Sequence, residues 1–141
     1  MIIRQLSIFL ENRSGRLSEL TEALALNNIN ISAMSIAETA EYGIVRAVVS
    51  APEKAREILK AKDFSVNLTD VLCLCTPNTP GSLARALRIL SDASISVEYL
   101  YAFSIGDKAF AIIRTEDIVR SIGVFQEHEM ELLNAGELYK I

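Results

Sequence analysis

The chain repeats itself. Moved by 66 residues, Asn12 falls on Asn78, Gly15 on Gly81, Leu17 on Leu83 and Leu24 on Leu90. Ile29 and Ile31 fall on Ile95 and Val97, Ile44 on Phe110, and Ala47 on Ile113. Such a chain is built from two copies of one module, so its fold must close within roughly 70 residues and be usable twice. The copies span 1–69 and 70–141. No Gly-, Ser- or Pro-rich linker parts them, because the run Leu68-Thr69-Asp70-Val71-Leu72-Cys73 passes straight through. The modules are therefore expected to be directly coupled.

Each copy reads alike. A strand (3–10; 71–76) leads through Asn-x-x-Gly into a helix (15–27; 81–93). Leu17, Leu20 and Leu24, and then Leu83, Leu87 and Leu90, sit at helical spacing. A second strand (30–38; 96–104) pairs as a hairpin with a third (43–50; 108–114). The turns are Thr39-Ala40-Glu41-Tyr42-Gly43 and Ile105-Gly106-Asp107. In the first copy the second helix opens with Ser50-x-x-Glu53, which reads as a capping box with Pro52 in the first turn. In the second copy it follows Thr115 and carries Ile118, Ile122 and Phe125. A last strand closes each copy, near 64–69 and 130–140. The order βαββαβ, taken twice, predicts an α+β chain of two ferredoxin-like modules, antiparallel sheets with helices on one face. The other sheet face is rich in isoleucine, valine and methionine and is expected to pack on another module or chain.

Charge and composition narrow the function classes. Half of the 141 residues are hydrophobic and 23% are charged, as in a globular protein. The net charge of −4 argues against a nucleic-acid backbone or an anionic membrane as partner. The amino terminus lacks a charged region, a long apolar core and a small-residue cleavage site, so no signal peptide is expected and the chain reads as cytoplasmic. There is no Walker loop, no G-x-G-x-x-G, no HExxH and no G-x-S-x-G, and nothing assembles a nucleophile with a base. Neither a catalytic site nor a cofactor is expected. Cys73 and Cys75 read as two small core residues, since no second Cys pair or His cluster completes a metal site. His128, in Gln126-Glu127-His128-Glu129, reads as a solvated helix-end residue. Tyr99, Tyr101 and Phe103 alternate onto one strand face and read as interface packing.

The Asn-x-x-Gly turn has two physical readings. In one it is structural: Asn closes an Asx-turn and Gly supplies a backbone conformation closed to other residues. In the other, Gly lets a ligand approach the backbone, and the first N–H groups of the helix cradle an anion such as a carboxylate. Asn can accept from an ammonium and donate to a carboxylate, which suits a free amino acid. The repeat alone does not decide between them.

The stretch LSIFLENRSGRLSELTEALALNNINISAMSIAE resembles an ACT domain, most closely the regulatory domain type of phosphoglycerate dehydrogenase. Strand, E-N-R-x-G, Leu-rich helix and N-I-N-I all match, and PNTPGSLARALRIL with SISVEYL matches more loosely in the second copy. The whole chain is similar to stand-alone tandem ACT proteins. The resemblance implies a non-catalytic sensor or regulatory protein that binds a small L-amino acid between two modules. The strand–helix loop of one module would meet the start of the second strand of the other. Its implied ligand-binding residues are Asn12, Ser14, Gly15, Arg16, Leu17 and Asn30. The counterparts in the second copy are Asn78, Pro80, Gly81, Ser82, Leu83 and Ser96. The strand edges and the apolar sheet face lead to an expected homodimer, and the expected partner is an enzyme of amino-acid metabolism. Leu10 stands where the dehydrogenase pattern has a histidine, and Ser96 stands where the first copy has Asn30. The alternative is a structural or interaction module that controls a partner enzyme without a metabolite.

Overall fold

A computed structural model of the chain describes residues 1–11, 13–38 and 41–140. The chain divides into two compact units, Arg4–Thr69 and a second made of Asp70–Lys140 with Met1–Ile3. The first unit runs β1 (Ile3–Glu11), α1 (Arg16–Leu26), β2 (Ile31–Glu38), β3 (Tyr42–Val49), α2 (Pro52–Ala61) and the start of β4 (Ser65–Pro77). The second takes the rest of β4, then α3 (Ser82–Asp92), β5 (Val97–Ile105), β6 (Lys108–Thr115), α4 (Ile118–Glu127), β7 (Glu131–Leu133) and α5 (Ala135–Leu138). The two strands expected at 64–69 and 71–76 are thus one continuous strand of 13 residues.

In the first unit the strands lie in the order β2-β3-β1-β4. Leu6 faces Ala47 and Ile8 faces Val45 across antiparallel β1 and β3. The period of two in a strand sends Leu6, Ile8 and Leu10 to one face, where they meet Val45, Ala47 and Val49 of β3. Leu20 and Leu24 of α1, with Leu59 of α2, close that core from the helix side. The second unit keeps the same permutation, β7-β4-β6-β5, with antiparallel pairs throughout. Leu72, Leu74, Ala111 and Ile113 meet Ala86, Ile89, Leu90 and Phe125 in its core. On α3 the stripe is rotated from the expected one: Leu90 is buried and Leu87 half-buried, but Leu83 is exposed, and Ala86 and Ile89 face the sheet instead.

The helix ends show the repeat in the backbone. Asn28, Asp63, Ser94 and Glu129 all take positive φ, between 55° and 66°. The next residue in each case is apolar and donates its N–H back into the last helical turn: Ile29 to Leu24, Phe64 to Leu59, Ile95 to Leu90 and Met130 to Phe125. This is the six-to-one bond of a Schellman ending, and its apolar residue falls onto the core. It fixes where Phe64 and Met130 sit.

Two local expectations are corrected. Ser50 does not cap α2: the N-cap is Ala51, with no side-chain cap bond. The Ser50 hydroxyl instead accepts from the Asn30 N–H at 2.9 Å, a tie between β2 and β3 that outcompetes the cap. Pro52 does occupy the first turn. The last strand does not run to 140; it ends at Leu133. Asn134 accepts from the Glu137 N–H at 2.9 Å, and Glu137 accepts from the Asn134 N–H at 2.8 Å. That reciprocal pair is a capping box, and it starts α5.

Cys73 and Cys75 alternate with Leu72 and Leu74 along β4, and both are buried. Burial, then the neighbouring Cys75, pushes the Cys73 thiol from 9.0 up to about 12. Burial and the Glu131 carboxylate raise Cys75 as well. Both thiols are therefore protonated near neutral pH and unreactive. Mass spectrometry after iodoacetamide treatment should show no labelling in the folded protein and labelling of both in denaturant. Between pH 9.0 and 12 the unfolded chain releases the Cys73 proton before the folded one does. Stability should therefore fall as pH rises across that window, by up to roughly 4 kcal/mol.

Candidate ligand-binding site

The glycines of the two Asn-x-x-Gly motifs share one backbone geometry. Gly15 caps α1 at φ 85°, ψ −11°, and Gly81 caps α3 at φ 91°, ψ −12°. Both lie in the left-handed region that an L side chain rarely adopts. A Cβ at either glycine would meet no atom within 4 Å, so the backbone angle, not crowding, calls for glycine. The Arg16 N–H donates to the Arg13 carbonyl at 3.4 Å, and the Ser82 N–H donates to the Thr79 carbonyl at 3.2 Å. The N–H groups next in each helix have no intrahelical acceptor, which leaves them to a ligand or water.

Around the first turn lies a cleft of about 170 Å³. It is lined by Leu10, Glu11, Arg13, Gly15, Leu17, Ile36, Glu38 and Gly43. Gly15 and Leu17 come from the expected set. Leu10, Leu17 and Ile36 give it an apolar side, and Arg13 pairs with Glu11 at 3.3 Å. Glu38 contributes a carboxylate from the far end of β2. This combination offers a cation and helix N–H groups to a carboxylate, acceptors to an ammonium, and apolar surface to a short side chain.

The other expected residues fall elsewhere. Asn12 lies outside the described residues. Ser14 is exposed on the turn. The Arg16 side chain is buried: its guanidinium lies 3.8 Å over the Phe64 ring, pairs with Glu19 at 2.8 Å and donates to the Asp63 carbonyl at 3.4 Å. It does not line the cleft. Asn30 is exposed at the head of β2, where its carbonyl accepts from the Ser50 N–H at 2.9 Å. From Asn30 to Ile36 the strand spans roughly 20 Å, so one module alone does not bring Asn30 to this cleft. In the second unit the Asn78 amide donates to the Gly106 carbonyl at 3.2 Å, and its N–H donates to the Asp107 carbonyl at 2.8 Å. Asn78 is thereby tied to the β5–β6 turn. Pro80, Gly81 and Leu83 are exposed, and Ser82 lines a separate cleft. Ser96 repeats the Asn30 pairing, its N–H donating to a Glu116 carboxylate oxygen at 3.0 Å, and it edges a groove of about 540 Å³ beside α3 and β5. Sequence reading missed Ile36 and Glu38 because only the β2–β3–β1 pairing brings the end of β2 beside the turn.

Two βαββαβ units, each opening its first helix from a left-handed glycine, define a tandem α+β protein of two ferredoxin-like modules. The family profile of the ACT domain pair matches residues 1–141, and the chain belongs to that family. Protein BT0572 from Bacteroides thetaiotaomicron is 48% identical over 100% of this chain and 98% of its own, with a TM-score of 0.97. The ligand-free regulatory subunit of aspartate kinase from Thermus thermophilus is 12% identical over 88% of this chain and 90% of its own, with a TM-score of 0.64. The Thermus flavus regulatory subunit is 14% identical over 89% and 92%, at 0.61. At such identities these two show the shared fold. No curated protein matches the sequence.

Proposed function

We propose that this protein is a non-catalytic sensor that binds a small L-amino acid at the Gly15–Leu17 cleft and regulates an enzyme of amino-acid metabolism. One observation carries this reading. A left-handed glycine and the open N-terminus of α1 edge a small cleft that also holds Arg13, Glu38 and apolar side chains. The carboxylate of the ligand meets the N–H groups of Leu17 and its neighbours, with Ser14 on the same turn. Arg16 contributes its backbone, since its side chain is committed to Glu19 and Phe64. Asn30 of another module completes the site. The exposed Met34 and Ile36 on edge strand β2 favour a second copy of the chain as the source of that module. Two of the similar structures are regulatory subunits of aspartate kinase, which supports an enzyme partner of that kind.

A second reading, an interaction module without a metabolite, draws support from Asn78, whose side chain serves the β5–β6 turn. A thermal-shift screen of the standard L-amino acids separates the two. A ligand at 100 times its Kd adds about 2.7 kcal/mol, roughly 5–10 °C here. If no amino acid moves the melting point at millimolar concentration, the interaction reading stands.

A further inference from the structure

The repeat places Ser82, Arg85, Glu129 and Met130 where the first unit has Arg16, Glu19, Asp63 and Phe64. In the first unit the Arg16 side chain fills the space between these residues, stacked on Phe64 and paired with Glu19. In the second unit Ser82 is too short to do so, and Arg85 reverses the charge of Glu19. What is left is a cleft of about 270 Å³ between the end of β4, the first turn of α3 and the α4–β7 connection. Pro77, Ser82, Arg85, Glu129, Met130 and Glu131 line it.

We propose that this cleft is a second binding site, for a free amino acid or another zwitterion of that size, with the carboxylate on Arg85 and Ser82 and the ammonium on Glu131. Among the described residues the Arg85 guanidinium has no carboxylate partner, so its fork is open to one. The Ser82 hydroxyl is held by Thr79 Oγ1 at 2.9 Å. With Thr79 donating, the Ser82 O–H is left to donate to a ligand oxygen. Glu129 and Glu131 stand opposite as acceptors, and Met130 and Pro77 supply apolar contact for an aliphatic side chain. The volume lies below the roughly 300–1,000 Å³ of drug-sized sites, which sets the ligand at the scale of a single metabolite. The cleft shares no residue with the one around Gly15. The chain thus holds two sites of different build, one of them open where the second copy carries Ser82 in place of the arginine that plugs the first.

The test restores the plug. In the variant S82R/R85E/M130F the second unit carries the arrangement with which the first unit already folds. Amide resonances of the full chain are followed by NMR as each standard L-amino acid is added to millimolar concentration. At least one should shift Ser82, Arg85 and Glu131 saturably in the wild type, and the plugged variant should lose those shifts. Resonances of Gly15 and Leu17 report on the first cleft separately, so either site can fail without the other. The proposal is overturned if no amino acid moves the second-unit resonances, or if the folded plugged variant keeps the shifts. Should the triple variant not fold, Arg85→Ala removes only an exposed side chain. It should weaken binding tenfold or more, and an unchanged affinity overturns the assignment.

Discussion

Phe125→Ala should lower the stability of the second unit by about 3–5 kcal/mol, the range seen for large-to-small changes at packed core positions. Phe125 is fully buried on α4, and it packs with Leu72, Leu74, Leu90 and Ile113. Its carbonyl also takes the Met130 N–H at 2.9 Å, closing the helix. Alanine keeps that backbone bond, so the loss reports packing alone. Urea unfolding monitored by circular dichroism measures it. A change below roughly 1 kcal/mol would mean that the site collapses around the cavity or that Phe125 is not central to the core.

Gly15→Val should act on both stability and ligand binding. At φ 85° a β-branched residue is strained, at a cost on the order of 1–3 kcal/mol. Its added methyl groups also project toward open space at the cleft, where the ligand is proposed to meet the helix N-terminus. Losing one hydrogen bond to a charged ligand group weakens affinity tenfold or more. Gly81→Val carries the same backbone strain at φ 91°, in the other unit, and serves as the control. Once circular dichroism shows both variants folded, calorimetry should find the Gly15 variant lacking the first-cleft binding phase and the Gly81 variant retaining it. The reverse result would move the site to the second turn.

The four longer helices, the sequential order of elements and the glycine turns were legible in the sequence because each is written in local signals. These are the period of Leu20 and Leu24, the alternation of Leu6, Ile8 and Leu10, and a glycine three residues after an asparagine. What was not legible depends on residues distant in the chain. Ser50-x-x-Glu53 has the letters of a capping box, yet its hydroxyl goes to the Asn30 N–H, brought there by the β2–β3 pairing. Asn134-x-x-Glu137 has the same spacing with Asn in place of Ser and does form the box, and it stops the strand expected there. Arg16 reads as a site residue from its place in the turn, but Phe64 and Glu19 hold its side chain inside the fold. The cleft itself needs Ile36 and Glu38 from the end of β2, which no spacing around Gly15 announces.

Calorimetric titration of the full chain with the L-amino acids that raise its melting point tests the central claim most directly. Saturable heat from at least one of them is expected in the wild type, with the first-cleft component absent in folded Gly15→Val. Absence of saturable heat from every amino acid at millimolar concentration, or heat identical in the wild type and the Gly15 variant, would contradict it.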